Sequence, residues 1–245
     1  MNKFWIIVPF YNVSNYITDC VNSIISQNYD NYQAIFIDDN SSDGTSDKIP
    51  NNDKFTKVYN DIRLTALENI HNCLFSLKSD IDPDDIIIIL DGDDALLHTG
   101  VLEYVNNIYK YNQSLLITYG QYITSNGYLG HCSSYTEQEY NNLRNMDWRA
   151  SHLRSFKFKT YLELINQDPQ FNCYKDIDGG FYKITYDIAI LYPLMEIAGY
   201  NNIHFNKEPL YYYRLHPNND HALNASEQKR VELNIKNKPK FKTIW

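Results

Sequence analysis

One stretch of the sequence constrains the fold more than any other. Five aliphatic residues, Ile86 to Leu90, run directly into an acidic turn, Asp91-Gly92-Asp93-Asp94. A continuous apolar run of this length is typical of a strand that is buried on both faces in a mostly parallel sheet. Because ligands of open α/β sheets bind beyond the carboxyl ends of the strands, the turn lies where a ligand site is expected.

The three carboxylates of this turn repel one another, so they stay ionised together only when solvent or a cation offsets the repulsion. Carboxylates are ligands of hard divalent cations such as Mg²⁺ or Mn²⁺. The turn therefore predicts a metal and an anionic ligand at the end of the strand. An acidic turn that binds nothing is the alternative, because Asp and Gly are ordinary turn residues.

The composition narrows the class of protein. The 245 residues are 43% hydrophobic and carry a net charge of −8, which suits one large α/β domain and argues against a nucleic-acid binder. No apolar run reaches the length of a membrane span, and the N-terminus lacks the pattern of a signal peptide. The four cysteines form no CxxC pair and predict free thiols in a reducing compartment, so we expect a soluble protein of the cytoplasm, the host's if the source is a virus.

Alternating strand and helix patterns predict βαβ units with right-handed crossovers. The first strand is predicted to stop at Pro9, and Ser14 is predicted to cap the helix that follows. The fold class is therefore α/β, with a mostly parallel central sheet flanked by helices. Predicted strands are 4–8, 33–37, 57–59, 86–90 and 115–119, and predicted helices end near 27, 77 and 109.

The pattern weakens between residues 126 and 178. A basic and aromatic patch, 148–159, predicts a partner or acceptor surface there, or equally an irregular cover for the core. Gly199 is expected to end an amphipathic helix. Further predicted elements are helices at 161–165 and 184–198, strands at 203–205 and 210–213, and a charged helix with a basic segment within 226–242.

Three polar loops follow three predicted strands, and a parallel sheet would bring them to one crevice. They are Val8-Pro9-Phe10-Tyr11-Asn12, the loop from Asp38 to Thr45, and the acidic turn. Other phosphate-binding signatures are missing, since the sequence has neither GxGxxG after the first strand nor GxxxxGK[ST]. An EF-hand and a zinc site also fail on spacing.

This ordered set resembles the GT-A glycosyltransferases of family 2. The matching motifs are VPxYN, S-I-x-x-Q-x-Y at 23–29, DDxSxDGT, DxDD and a late YRxH element at 213–216. The resemblance implies a GT-A (Rossmann-like) domain over 1–220, with a nucleotide-sugar half at 1–120 and a less regular acceptor half at 121–220. Residues 221–245 would form a C-terminal helix and basic tail.

The resemblance also implies roles for single residues. Asp39 would accept the N3–H of uracil, for which a carboxylate is a strong acceptor, although a carboxylate that caps the next helix is the alternative. Mn²⁺ or Mg²⁺ would stabilise the charge that develops on the UDP leaving group. The residues implied in nucleotide-sugar binding are Pro9, Tyr11, Asn12, Asp39, Arg63, Asp91 and Gly92, and those implied in metal binding are Asp93, Asp94 and His216.

An inverting transferase needs a carboxylate base beside the acceptor hydroxyl. The family usually has a Glu-Asp pair opening a late helix, which is missing here, but Asp187 occupies the matching place. A helix N-terminus favours a carboxylate there. Asp176 and Asp178 are the rival candidates. A second departure is Glu68-Asn69, where the family often has Arg before the Asn.

The expected function is an inverting transfer of a hexose-type sugar from a UDP-sugar to a hydroxyl of a glycan or glycoconjugate. A nucleotidyltransferase is an alternative, but it should show a Gly-rich basic loop in place of Pro9-Phe10-Tyr11-Asn12. A non-catalytic nucleotide-sugar-binding relative is another, because the Glu-Asp pair is missing. A purely structural α/β domain would leave three polar motifs at three strand ends to chance.

Overall fold

The computed structural model describes residues 1–217 and 225–245. The strands are β1 (Phe4–Phe10), β2 (Tyr32–Asp38), β3 (Phe55–Tyr59), β4 (Ile86–Ile89), β5 (Ala95–Leu96), β6 (Ile117–Thr124), β7 (Arg154–Lys157) and β8 (Ile203–Tyr213). The helices are α1 (Ile17–Ile25), α2 (Ala66–Ser76), α3 (Val101–Tyr111), α4 (Glu137–Asn141), α5 (Phe158–Gln167), α6 (Tyr186–Ala198) and α7 (Ala225–Lys236). The expected division between 220 and 221 lies outside the described residues.

The eight strands form one sheet in the order β3-β2-β1-β4-β7-β6-β8-β5. Strands β1 to β4 pair in parallel around β1, and β6 pairs in parallel with β8. Strand β7 is antiparallel to both of its neighbours, and β5 is antiparallel to β8. The expected α/β fold with a mostly parallel sheet is thus confirmed, and each antiparallel pair involves β7 or β8, which lie where the sequence pattern is less regular.

Strand β4 supplies the centre of the core. All four of its isoleucines are 0% exposed. Ile86 and Ile88 pack on the side of α1 and α3, whereas Ile87 and Ile89 pack on the side of α2 and α6. Alternate residues of a strand point to opposite faces, so the unbroken apolar run follows from burial on both faces. Each buried side chain contributes roughly 1.5–3 kcal/mol to the free energy of unfolding.

Strand β1 does not stop at Pro9, as the sequence suggested, but continues to Phe10. The carbonyl of Pro9 faces the β4 side, where it accepts a hydrogen bond of 3.2 Å from the backbone N–H of Gly92. Strand β4 has already ended at Ile89 at that level. A proline can occupy this position because its missing N–H faces the side where the neighbouring strand has ended.

Ser14 is not the N-cap of α1, contrary to the sequence prediction. The helix starts at Ile17 with Tyr16 as the residue before it and without a side-chain cap. Ser14 instead donates its backbone N–H to Oδ2 of Asp43, at 2.9 Å. Ser14 is therefore bonded to the loop after β2 and does not cap the helix.

The basic and aromatic patch is not a surface over its whole length. Its residues Arg154 to Lys157 form β7, which is buried between β4 and β6. Carboxylates compensate the two charges, since Arg154 Nη2 lies 3.6 Å from Asp91 Oδ2 and Lys157 Nζ lies 3.3 Å from Asp84 Oδ1. The segments expected as two late strands form the single strand β8, with irregular register opposite 120–122.

One buried arginine makes several of the contacts that hold the C-terminal segment on the domain. Arg144 pairs with Glu196 of α6 through two hydrogen bonds, Nε to Oε1 at 2.5 Å and Nη2 to Oε2 at 2.7 Å. The same guanidinium also donates to backbone carbonyls of the C-terminal segment. These carbonyls belong to Ile235, Lys238 and Pro239. In the described parts of the chain, every helix is too short or too polar to span a membrane.

Candidate active site

A cavity of about 1390 Å³ lies beyond the carboxyl ends of β1, β2 and β4. Its far side is formed by the start of α6 and by residues of β6, β8 and α7. The three loops singled out in the sequence therefore do meet at one crevice. The candidate site residues that line the cavity are Pro9, Tyr11, Asn12, Asp39, Arg63, Asp91, Asp93, Asp94, Asp187 and His216.

The loops after β1 and β2 are joined by hydrogen bonds in both directions. The backbone N–H of Asn12 donates to Ser41 Oγ at 3.0 Å, and the backbone N–H of Ser42 donates to Asn12 Oδ1 at 2.9 Å. The backbone N–H of Val13 donates to Thr45 Oγ1 at 3.0 Å. Asn12 has φ 51°, a left-handed conformation that Asn tolerates better than most residues. The two loops consequently form one wall of the cavity.

Asp39 is 3% exposed and holds the segment before α2. Its Oδ1 accepts hydrogen bonds from the backbone N–H of Leu64 at 2.7 Å and from Asn60 Nδ2 at 3.1 Å. Its Oδ2 accepts from the backbone N–H of Thr65 at 2.9 Å. A carboxylate offers about four acceptor directions, so one remains for a ligand. Asp39 thus orders the start of the next helix and also faces the cavity.

Arg63 and Tyr11 form a pair at the mouth of the cavity. The Arg63 guanidinium lies 3.9 Å from the centre of the Tyr11 ring, and its Nε lies 3.7 Å from Asp39 Oδ2. The Arg63 side chain is 56% exposed, so the cation can reach a ligand that enters from solvent. The cation is attracted to the ring face, which keeps the two side chains together.

Gly92 does not line the cavity; its contact with β1 explains the residue type instead. A Cβ at this position would lie 2.5 Å from Cβ of Phe10. Only glycine lets the acidic turn approach the end of β1 this closely, because any side chain would overlap with Phe10. We therefore assign Gly92 a packing role beneath the site.

The acidic turn presents its carboxylates unequally. Asp93 is partly exposed and its Oδ2 lies 2.8 Å from His216 Nε2. Asp94 is 1% exposed and accepts hydrogen bonds of 2.7 Å from the Tyr211 hydroxyl and from the backbone N–H of Arg214. Asp94 thereby fixes the end of β8, and through it the position from which His216 reaches Asp93.

Burial raises the pKa values of two carboxyl groups in this turn. The pKa of Asp91 rises to about 6, because burial and the charge of Asp93 outweigh the opposing effect of Arg154. The pKa of Asp94 lies well above its usual range, through burial and then the charges of Asp93 and Asp91. Carboxylates crowded in this way gain from a nearby cation, which favours their ionised form.

A second possible metal site combines two carboxylates of the turn with a histidine. Asp91, Asp94 and His152 each offer one ligand atom, and these atoms lie within 4.8 Å of one another. The carboxylates suit a hard divalent cation. His152 suits it less, because its Nδ1 accepts a hydrogen bond of 2.9 Å from Arg154 Nη2, which leaves the ring proton on Nε2. Burial also lowers the pKa of His152 well below its usual value, which keeps the ring neutral.

Asp187 is the second residue of α6 and lines the cavity. Its Oδ2 accepts a hydrogen bond of 3.1 Å from Trp148 Nε1. The rival carboxylates lie elsewhere: Asp176 is bound by Arg230, with 3.0 Å between Oδ1 and Nη1, and Asp178 Oδ1 accepts the backbone N–H of Gly180 at 2.9 Å. Neither rival lines the cavity, so Asp187 is the one of the three that a ligand there could meet.

The residue before Asp187 connects it to the acidic turn. The hydroxyl of Tyr186 donates a hydrogen bond to Asp91 Oδ1 and accepts one of 3.1 Å from Arg154 Nη2. Sequence reasoning placed Trp148 and Arg154 in a patch interpreted as a partner surface or as a cover for the core, and it gave His152 and Tyr186 no role. The basic and aromatic character of 148–159 was a signal for three positions, Trp148, His152 and Arg154, whereas Tyr186 lies outside that range.

Residues 5–163 match the family model described as Glycosyl transferase family 2. Among curated proteins, the chain is 25% identical over 172 residues to Glycosyltransferase GlyA of Streptococcus pneumoniae serotype 4, covering 63% of this chain and 23% of that protein. It is 28% identical over 123 residues to Glycosyltransferase GlyG of the same organism, covering 44% and 40%. The matched parts therefore span less than half the length of these relatives.

Several solved structures share the fold. S. aureus TarS 1-349 in complex with UDP-GlcNAc superimposes with a TM-score of 0.64 at 15% identity, over 95% of this chain and 66% of that chain. Glucosyl-3-phosphoglycerate synthase from Mycobacterium tuberculosis, in complex with Mn²⁺, UDP and glucosyl-3-phosphoglycerate, gives 0.61 at 12%, over 97% and 81%. Mannosyltransferase PcManGT from Pyrobaculum calidifontis, in complex with GDP-Man and Mn²⁺, gives 0.59 at 15%, over 96% and 62%.

Proposed function

The chain belongs to glycosyl transferase family 2 and has the GT-A fold, and from this premise we propose that it transfers a hexose-type sugar from a UDP-sugar to a hydroxyl group of a glycan or glycoconjugate. The transfer is a metal-assisted single displacement that inverts the anomeric centre. One observation carries the proposal: Asp93 of the acidic turn and Asp187 at the start of α6 line the same cavity. The proposed site of the leaving group and the proposed base therefore line the same cavity.

The geometry of Asp39 favours uracil as the base of the donor. Three of the acceptor directions of its carboxylate are occupied by Leu64, Thr65 and Asn60. Uracil presents the single N3–H donor, whereas guanine presents N–H groups at two neighbouring positions. One free direction matches one donor. Tyr11 and Arg63 at the mouth, with Pro9 and Asn12 beside them, enclose the base and ribose in this proposal.

The carboxylates at the donor side require a compensating cation. Asp91, Asp93 and Asp94 would repel a diphosphate that entered alone. Asp93 and His216, which line the cavity, are the candidate ligands for Mn²⁺ or Mg²⁺, with the more deeply buried Asp94 next to them in the acidic turn. When bound, such an ion stabilises the negative charge of the UDP leaving group. Solved neighbours of the same fold are complexes with UDP or GDP-Man and Mn²⁺, which supports this assignment.

Asp187 acts as the base in this mechanism. It takes the proton of the acceptor hydroxyl while that oxygen bonds to the anomeric carbon and the bond to the UDP oxygen breaks. Trp148 holds Oδ2, and we assign Oδ1 to the acceptor hydroxyl. The N-terminus of α6 favours the ionised carboxylate that a base requires.

Titration calorimetry of UDP with Mn²⁺ and with EDTA tests the donor site, and a panel of UDP-glucose, UDP-galactose and UDP-N-acetylglucosamine tests turnover. We expect UDP to bind with Mn²⁺, GDP to bind more weakly, and one UDP-sugar to be hydrolysed slowly without an acceptor. The Asp178→Asn variant serves as the control, since Asp178 lies away from the cavity. UDP affinity that is the same with EDTA as with Mn²⁺ would contradict the proposal.

Two other outcomes correspond to the alternative functions. Metal-dependent UDP binding without turnover of any donor would identify a non-catalytic relative. Release of pyrophosphate from a nucleoside triphosphate and a sugar phosphate would identify a nucleotidyltransferase. The loop after β1 argues against the nucleotidyltransferase, because Pro9 to Asn12 contains no lysine or arginine that could hold a triphosphate.

We further propose that the protein is cytoplasmic. We also propose that residues 121–220 bind the acceptor. The four cysteines are free and buried, as expected of a protein in a reducing compartment. The part of the cavity wall formed by residues of β6, β8 and the start of α6 includes the candidate base, Asp187.

A further inference from the structure

Two tyrosines on neighbouring strands line the cavity on the side away from the loops after β1 and β2. Tyr122 belongs to β6 and Tyr213 to β8, and these strands pair in parallel. Their ring centres lie 5.6 Å apart, with 57° between the ring planes. Both side chains are partly exposed. The mechanism described above uses neither of them.

The ring of Tyr122 is fixed from several directions. Gly130 packs against it so closely that a Cβ at this glycine would lie 2.4 Å from Cε1 of the ring. The hydroxyl lies 3.0 Å from His131 Nδ1, and the ring meets His152 edge to face, with centres 5.6 Å apart. A ring held in this way offers contact area without loss of side-chain entropy on binding.

Tyr122 lines the same cavity as Asp187 and lies close to the acidic turn. Its ring meets the ring of His152, which offers a nitrogen within 4.8 Å of carboxylate oxygens of Asp91 and Asp94. Burial raises the pKa of the Tyr122 hydroxyl, and the charges of Asp187 and Asp94 raise it further. An acceptor in this cavity can therefore meet Asp187 with a hydroxyl group and Tyr122 with its ring.

The charges on this side of the cavity are balanced. Among the described cavity residues after position 121, the cations are Lys183 and Arg154, and the carboxylates are Asp187 and Glu232. Arg154 is 1% exposed and is already 3.6 Å from Asp91. As far as the structure describes its residues, the wall thus lacks the accessible cluster of cations that binds phosphate groups. Hydroxyl and imidazole groups of Thr124, Ser151 and His131 also line it.

We propose that Tyr122 and Tyr213 form the acceptor subsite, and that the group they bind is a neutral sugar ring. A pyranose ring carries C–H groups on its face, which pack against the electron-rich face of an aromatic ring, while its hydroxyl groups find the polar side chains at the edge. This inference rests on the proposed function, because Asp187 must be the base for the acceptor to lie here.

Saturation-transfer NMR in the presence of UDP and Mg²⁺ tests the subsite. The neutral probes are methyl glycosides of glucose, galactose and N-acetylglucosamine, and the anionic probe is glucose 6-phosphate. Tyr122→Leu removes the ring and Tyr122→Phe keeps it. Gly130→Ala displaces the ring without changing it. Tyr128→Leu is the matched control, because Tyr128 is exposed and lies outside the cavity.

We expect at least one neutral glycoside to bind, with affinity lowered about fivefold in Tyr122→Leu and in Gly130→Ala. Tyr122→Phe and Tyr128→Leu should stay within about twofold of the unmodified protein, since both keep the stacking surface. Equal glycoside binding in Tyr122→Leu would overturn the proposal. So would tighter binding of glucose 6-phosphate, or the absence of binding by every neutral glycoside.

UDP binding, measured on the same samples, separates this proposal from the previous one. Absence of glycoside binding to the unmodified protein, with UDP binding intact, would refute the acceptor subsite alone. A protein that binds glycosides at Tyr122 but no UDP would refute the donor assignment and leave the aromatic subsite standing.

Discussion

The indole Nε1 of Trp148 donates a hydrogen bond of 3.1 Å to Oδ2 of Asp187. Trp148 lies between α4 and β7, in the part of the chain with the weakest sequence pattern, and its ring packs on Tyr192 of α6 with centres 4.9 Å apart. The irregular segment therefore orients the proposed base. This gives the segment a function that is separate from binding the acceptor.

Replacing Trp148 with Phe should lower kcat and leave donor binding unchanged. Phe keeps a ring against Tyr192 but cannot donate to Asp187. Hydrogen bonds to charged groups contribute about 1.5–3 kcal/mol, which corresponds to a decrease in kcat of roughly tenfold or more. Steady-state kinetics and calorimetry with UDP check this, and an unchanged kcat would show that the bond does not orient the base.

Asp187→Asn should lower transfer by at least about a hundredfold, the usual contribution of a general base. UDP affinity should stay within about twofold, because Asp187 does not belong to the nucleotide loops. The control is Asp176→Asn, which breaks the pair with Arg230 outside the cavity. Transfer that survives in Asp187→Asn and disappears in Asp176→Asn would move the base to Asp176.

Asp93→Asn and Asp94→Asn should separate metal binding from stability. Asp93 is accessible, so its replacement should weaken Mn²⁺ binding strongly with little change in the unfolding midpoint. Asp94 is buried and accepts from Tyr211 and from the backbone N–H of Arg214, so its replacement should lower both. Electron paramagnetic resonance of Mn²⁺ and thermal unfolding give the two readings. A normal metal affinity in Asp93→Asn would exclude it as a ligand.

His71 should make the fold less stable in acid. Burial among aromatic rings, with the charge of Lys175, lowers its pKa from 6.5 to about 4. The unfolded chain binds this proton first, so the stability is complete above pH 6.5 and decreases as the pH falls towards 4. The loss is about 3 kcal/mol for this one group. The free energy of unfolding of His71→Gln, measured with urea, should decrease less between pH 7 and pH 4 than that of the unmodified protein.

Arg144→Met should destabilise the domain by about 3–5 kcal/mol, because Glu196 would keep a buried charge without its partner. The matched control is Arg149→Met, whose pair with Glu139 is more exposed and should contribute about 0–1 kcal/mol. Denaturant unfolding compares the two variants. Equal losses in the two variants would show that neither the buried pair with Glu196 nor the contacts of Arg144 with the C-terminal carbonyls adds to the stability.

The donor half of the fold was predictable because its strands are apolar runs that end at polar loops. The second half was not, for two physical reasons. Strand β7 is a buried strand with the sequence Arg-Ser-Phe-Lys, and its charges are compensated by Asp91 and Asp84, which are distant in sequence. Strand β8 contains Asn206 and Pro209, which interrupt its apolar pattern although the backbone continues through them.

The site was predictable to the extent that its residues follow strand ends. The cavity does gather the acidic turn, Asp39 and Asp187, as the loops suggested. The residues that orient them could not be found in this way. Trp148, Tyr186 and Arg154 act through side-chain contacts between segments far apart in the chain, and no local pattern encodes such contacts.

The missing side chain of Gly92 has a consequence for how this site can change over time. Phe10, against which Gly92 packs, also provides the carbonyl that accepts the backbone N–H of Asp39, at 2.9 Å. A single added methyl group at position 92 would thus push on the strand end that holds the loop of Asp39. The glycine therefore couples the acidic turn, which we propose to bind the metal, to the loop that we propose to bind the base. A substitution at position 92 would disturb both proposed sites at once, so their geometries cannot change independently there.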